Sequence, residues 1–159
     1  PITISQILDA NGLHDAIWAL RTCPEAGKLC RTLALDFAEH VLQGTFKNHP
    51  DGTKIRNIFE SIKNRSTAIS IEDAIAIASN IITNTENTSS LITDMMVGLV
   101  HKTPAEAAYT AYIHASAYAE YAGRLCSKEP WQSMFKENDW QEKHFRKLLK
   151  QTEGDRNVA

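Results

Sequence analysis

The stretch from Thr103 to Ser127 reads TPAEAAYTAYIHASAYAEYAGRLCS, and it decides the fold class. Thr103, Pro104 and Glu106 form a helix start signal, because threonine caps the first turn, proline suits the first helical position and glutamate suits the third. On a helical projection, small residues share one side, namely Ala108, Ala111, Ala115, Ala119, Ala122 and Cys126. Small side chains let neighbouring helices approach closely, and apolar residues cover most of the girth. The stretch therefore predicts a long alanine-rich helix at the centre of the fold.

Helical periodicity with short connections accounts for the rest of the chain, and no alternating strand pattern competes with it. The predicted helices lie at 4–10, 13–22, 24–43, 53–63, 70–83, 90–101 and 131–150. We expect Gly44 to cap the third of these helices, and the last helix to weaken near Asn138 and Asp139. The pattern predicts an all-α, single-domain bundle of about seven to eight helices over residues 1–152, with a frayed tail over 153–159.

Length and composition exclude several classes of protein. The chain has 159 residues, of which 43% are hydrophobic, and a net charge of −2, which suits one globular domain with a sizeable core. Without a basic stripe, direct nucleic-acid binding is not expected. The sequence has no run of about 18 apolar residues, so we expect no membrane span. The opening PITISQ lacks the pattern of a signal peptide. The odd count of cysteines favours reduced thiols and a cytoplasmic location.

One helical segment carries a pattern that could bind metal, the D-x-x-E-H run of Asp36, Glu39 and His40. Asp36 and His40 stand at helical spacing and could chelate an ion from one face. The sequence has no E-x-x-H, H-x-x-x-H or C-x-x-C pattern to complete such a site. It also has no G-x-S-x-G nucleophile motif and no glycine-rich phosphate loop. We therefore expect no metal, no cofactor and no catalytic residue.

Asp15, Trp18 and Arg21 recur at steps of three on one strip of a predicted helix. An acid, an indole and an arginine in this order could line a pocket, or they could form a buried ion pair that fixes how two helices meet. We favour the second interpretation, with Trp18 packed between the first two main helices and Arg21 paired with Asp15 or Asp36. The expected structural polar cluster comprises Asp15, Trp18, Arg21, Asp36 and His40.

The segment 11–21, NGLHDAIWALR, resembles the opening of a family of immunity proteins associated with bacterial toxin systems. LALDFAE at 33–39 is similar to the second helix of that family, and the alanine-rich segment 105–122 is similar in texture to its long helical region. The closing segment 139–149, DWQEKHFRKLL, resembles the end of the family pattern. The resemblance implies an all-helical binding protein that neutralises a toxin, and it carries over no catalytic residue.

Three functions stay open at this point, and the first is favoured. It is a non-enzymatic protein-binding inhibitor, in the first place an immunity protein whose partner is a toxin. The second is a phage-encoded inhibitor that binds a subunit of a bacterial defence complex, in the manner of anti-CRISPR proteins. The third is a helical domain that binds a small molecule, or catalyses a reaction, in a polar pocket around Asp15, Arg21, Asp36 and His40.

For the first two functions, we expect the partner to bind two polar loops, since loops on a rigid frame commonly carry binding residues. The candidate partner-binding residues are Phe46, Lys47, Asn48, His49, Asp51, Asn84, Glu86 and Asn87. The sequence leaves the oligomeric state open.

Overall fold

A computed structural model describes residues 2–45, 52–65, 88–99, 103–126 and 130–156. These ranges contain helices and no strand, which confirms the all-α prediction. None of the described helices is long and apolar enough to cross a membrane. The α-helices are α1 (Ile4–Asn11), α2 (Leu13–Ala19), α3 (Gly27–Thr45), α4 (Gly52–Arg65), α5 (Thr88–Leu99), α6 (Pro104–Cys126) and α7 (Pro130–Arg156). Two 3-10 turns, Leu20–Thr22 and Pro24–Ala26, connect α2 to α3.

The first two helices meet at Gly12, which has a φ of 86°. Its N–H donates to Leu8 O at the end of α1, and its carbonyl accepts from Ala16 N at the start of α2. A side chain would be strained at this backbone conformation, so glycine allows one residue to end one helix and begin the next. The helix α1 ends at Asn11, one residue beyond the predicted end at residue 10.

The helix α6 lies at the centre and packs against α3, α5 and α7, as the sequence predicts. Thr103 Oγ1 accepts a hydrogen bond from the Glu106 N–H and donates one to Glu106 Oε2. Thr103 therefore caps the start of this helix, as predicted. Of the small-residue strip, Ala108, Ala111, Ala115 and Ala119 are buried, and Ala122 is half-buried. The side chain of Cys126 lies outside the described residues.

Two helices come unusually close where Gly98 of α5 faces Thr110 of α6. A Cβ atom built onto Gly98 would lie 2.4 Å from Thr110 Cγ2 and 2.8 Å from Thr110 Cβ. Both distances are far shorter than van der Waals contact, and a β-branched threonine in a helix has few other rotamers. Only glycine therefore permits this approach between α5 and the central helix.

Ala115→Leu should lower the free energy of unfolding by about 1–3 kcal/mol, because a larger side chain would overpack a close helix contact. Ala115 is fully buried at the middle of the small-residue strip. Urea denaturation measures the loss, and Ala10→Leu on the exposed side of α1 is the control, expected to stay within about 0.5 kcal/mol. Equal stability of the two variants would mean that α6 has room beside Ala115.

The predicted end of the helix α3 is wrong. The helix α3 continues through Gly44 to Thr45, so Gly44 is not its cap. Burial of Val41 and Leu42 holds this last turn in place.

The helix α7 runs without interruption past Asn138 and Asp139, because its buried residues recur every fourth position through this region. These buried residues are Glu137, Gln141, Phe145 and Leu149. Residues 153–156, which we predicted to fray, belong to this helix. The predicted helix at 70–83 lies outside the described residues, as do residues 157–159.

Candidate functional site

The structure divides the five residues of the expected polar cluster into two groups. Asp36 and His40 extend from α3 towards α7, where their partners are His144 and Glu137. The other three, Asp15, Trp18 and Arg21, lie on α2 and the turn that follows it. In the part of the chain that the structure describes, no hydrogen bond, ion pair or ring contact joins the two groups. The predicted single cluster is therefore wrong.

A stack of three rings joins α3 to α7. The Trp140 indole lies between the imidazoles of His40 and His144, with ring centroids 3.5 Å and 4.9 Å away and planes nearly parallel. Each imidazole also meets a carboxylate, since His144 Nε2 lies 2.7 Å from Asp36 Oδ2 and His40 Nδ1 lies 2.9 Å from Glu137 Oε2. This His40–Trp140–His144 stack fixes the register of the two helices.

A buried polar network continues from the stack into the central helix. Gln141 is fully buried, and its Nε2 donates to Glu137 Oε1 at 3.0 Å. Ser116 Oγ of α6 lies 3.2 Å from Gln141 Oε1 and 2.6 Å from Asn138 Oδ1. Burial raises the pKa of the Glu137 carboxyl, and the neighbouring His40 lowers it in part. The single hydroxyl proton of Ser116 can be donated to only one of these two oxygens at a time. Together with the contact between His40 and Glu137, the network joins α3, α6 and α7.

The ionisation of Glu137 should make stability depend on pH. The pKa of Glu137 in the folded chain is raised above the ordinary value of 4.5. The protonated carboxyl therefore stabilises the folded chain fully at pH values below 4.5, and this stabilisation is lost as the pH rises through the folded-state pKa. Relative to Glu137→Gln, which carries no charge, the wild-type chain should gain stability as the pH is lowered from about 7.5 to about 5. Melting temperatures of both chains at the two pH values measure this. A difference that does not change with pH would contradict it.

The second group forms an exposed surface with Tyr109 of α6. Trp18 is 51% exposed, and Arg21 is exposed beside it. The Arg21 Cζ atom lies 5.7 Å from the ring centroid of Trp18 and 5.0 Å from that of Tyr109, close enough for cation–π attraction to both.

Both predictions for these residues are wrong, because Trp18 is not packed between helices and Arg21 pairs with neither Asp15 nor Asp36. The reason is rotation about the helix axis. The core-facing side of α2 and its following turn consists of Leu13, Ala16, Ile17 and Leu20. Trp18 follows the buried Ile17, and Arg21 follows the buried Leu20. One position along a helix is a rotation of about 100°, so both side chains face away from the core.

A chain of hydrogen bonds holds Tyr109 in place. Asn11 Nδ2 donates to Asp15 Oδ2 at 3.0 Å, His14 Nδ1 lies 3.2 Å from Asp15 Oδ1, and His14 Nε2 lies 3.0 Å from the Tyr109 hydroxyl. The hydrogen bonds from Asn11 and His14 lower the pKa of Asp15. An ionised carboxylate can only accept hydrogen bonds, so His14 Nδ1 carries a proton and donates it to Asp15. In a neutral imidazole the other nitrogen, Nε2, is then an acceptor, and it accepts a hydrogen bond from the Tyr109 hydroxyl. We call His14, Asp15, Trp18, Arg21 and Tyr109 the aromatic–arginine patch.

A groove of about 880 Å³ lies where α1, the 3-10 turns, α3 and the end of α7 meet. Its lining mixes polar side chains with aliphatic ones, the latter including Ile4, Ile7, Leu20, Leu29, Leu148 and Leu149. None of the four residues predicted for a polar pocket, Asp15, Arg21, Asp36 and His40, lines this groove. The groove therefore gives no support to the pocket that we considered from the sequence.

In the described ranges, no group of three histidine, cysteine, aspartate or glutamate side chains could hold a metal ion. Asp36 and His40, the pair considered for chelation, contact different residues of α7. That the chain binds no metal stays a prediction, which elemental analysis of untagged protein tests. The candidate loop residues Phe46, Lys47, Asn48, His49, Asp51, Asn84, Glu86 and Asn87 lie outside the described residues.

Comparison with protein-family models, with curated proteins and with solved structures found no match.

Proposed function

We propose that the chain is a non-enzymatic protein-binding inhibitor, and that it binds its partner through the aromatic–arginine patch. The observation that supports this most strongly is the exposed Trp18 beside an arginine that lies within cation–π distance of two aromatic rings. Tryptophan, tyrosine and arginine are the residues that most often dominate the binding energy of protein interfaces. Here all three types share one surface and are held there by hydrogen bonds and ring contacts.

Within this class, we propose an immunity protein that neutralises a toxin in the cytoplasm. The segment 11–21, which carries the resemblance to that family, also supplies four of the five patch residues. These are His14, Asp15, Trp18 and Arg21. Only the aliphatic residues of this segment are buried in the core. A binding role therefore explains its polar and aromatic residues better than a packing role does.

The test is site-specific photocrosslinking followed by a growth assay. A benzophenone amino acid at position 113, one helical turn from Tyr109 and exposed, should capture one protein in the cells from which the chain derives. The same group at position 136 should not. Position 136 is the matched control because it is exposed and adjoins Phe135, another exposed aromatic side chain.

The captured protein is then expressed alone in a laboratory bacterium. We expect it to stop growth, the wild-type chain to restore growth, and the Trp18→Ala/Arg21→Ala variant to fail. The captured protein could instead be a subunit of a defence nuclease that the chain inhibits. That result would support a protein-binding inhibitor and would contradict the proposal that its target is a toxin. Equal protection by the variant, or no capture at position 113, would reject binding through the patch.

A further inference from the structure

We propose that the aromatic–arginine patch recognises a segment of its protein partner that carries an aspartate or glutamate side chain, whose carboxylate binds Arg21 beside Trp18 and Tyr109. This inference rests on the proposed function. It begins from the surroundings of the Arg21 guanidinium. Among the described residues, that group contacts two aromatic rings and forms no ion pair with any carboxylate.

The chemistry of the guanidinium decides what it can bind. A guanidinium carries five N–H donors and no acceptor, and aromatic rings attract its charge without satisfying those donors. The donors lie in one plane and match the two oxygens of a carboxylate, which can accept a pair of parallel hydrogen bonds. The remaining binding capacity of Arg21 is therefore directed at an anionic oxygen pair.

The neighbouring residues hold Arg21 ready for such a contact. Tyr109 is fixed by the hydrogen bond to His14, and the imidazole packs against the tyrosine ring with centroids 5.5 Å apart. Because the Arg21 guanidinium already lies within cation–π distance of two rings, less side-chain entropy is lost when a carboxylate binds. The exposed part of the Trp18 indole adds apolar contact area beside the charged group.

A second charge on the patch favours an acidic protein segment over a nucleic acid. The Asp15 side chain is 50% exposed and, like any exposed aspartate, is ionised at neutral pH. A nucleic-acid backbone places phosphates at short, regular intervals, so it would bring negative charge against Asp15 as well as Arg21. A protein segment can place one carboxylate at Arg21 and an uncharged or basic residue near Asp15.

The test uses a phage library of random dodecapeptides panned on the full chain. Clones that bind the wild type but not Trp18→Ala define ligands of the patch, and their peptides are measured by fluorescence polarisation. We expect these peptides to contain aspartate or glutamate. Arg21→Gln should weaken them by about tenfold or more, the size expected for a lost charged hydrogen bond. Arg124→Gln is the control and should change binding by less than about twofold, because Arg124 is exposed on α6 and already pairs with Glu120.

The outcomes separate the inference from the function beneath it. Trp18-dependent peptides without acidic residues, or with unchanged binding to Arg21→Gln, would overturn the acidic partner and leave protein binding intact. A labelled oligothymidine that binds the wild type and is lost in Arg21→Gln would also overturn it, in favour of a nucleic acid. Absence of any Trp18-dependent peptide would overturn both proposals.

Discussion

Phe37→Ala should lower the free energy of unfolding by about 3–5 kcal/mol, the range found when a large buried aromatic side chain is truncated. Phe37 is fully buried on α3, and its ring meets the Trp140 ring edge-on with centroids 6.2 Å apart. Removing it leaves a cavity beneath the His40–Trp140–His144 stack, where the hydrogen-bonded network prevents α3 and α7 from closing the space. Urea denaturation monitored by circular dichroism measures the loss.

Phe135→Ala provides the matched control for this substitution. Phe135 lies on α7 and is 58% exposed, so its truncation should change the free energy of unfolding by no more than about 0.5 kcal/mol. Similar losses in the two variants would mean that the α3–α7 contact is not the tightly packed core described above.

Combined Trp18→Ala and Arg21→Ala substitution should weaken partner binding by at least about 2 kcal/mol, or roughly 30-fold. Truncation removes the exposed indole and the stacked cation, two groups of the kind that dominate binding energy at the centres of interfaces. The two side chains touch one another, so their effects should not simply add. Surface plasmon resonance against the protein captured by crosslinking measures the loss.

The same double variant should keep its stability to within about 1 kcal/mol, since both side chains are exposed and only cation–π contacts are lost. This reverses the expectation from the sequence, in which Arg21 formed a buried ion pair that fixes how two helices meet and whose loss would lower the melting temperature. A fall in melting temperature as large as that of Phe37→Ala would restore the structural role and remove the patch as a binding surface.

Much of the fold could be predicted from sequence because its determinants are local. The Thr103–Glu106 start signal acts within one helical turn, and the small-residue strip of α6 needs only the helical period to be recognised. The misplaced boundary at Gly44 and the expected weakness near Asn138 share one cause. Tertiary burial of neighbouring residues overrides the local preference of a single residue.

The site was harder to predict because the contacts that join its helices connect distant parts of the chain. His40 meets Glu137, Asp36 meets His144, and His14 meets Tyr109, and the members of every pair are separated by at least 95 positions in the sequence. The sequence placed Asp15, Trp18 and Arg21 on one strip correctly, but spacing alone does not state whether a strip faces the core. A usable signal existed in α2, since the aliphatic residues Leu13, Ile17 and Leu20 already define a different side as buried.

The most direct test of the central claim is one calorimetric comparison of two tryptophan variants against the captured partner. Trp18 and Trp131 are 51% and 52% exposed, and each contacts another side chain at the surface, but only Trp18 adjoins Arg21. We predict that Trp18→Ala raises the Kd by at least about 30-fold and that Trp131→Ala changes it by less than about twofold. An unchanged Kd for Trp18→Ala, or a larger loss for Trp131→Ala, would contradict the claim that the aromatic–arginine patch binds the partner.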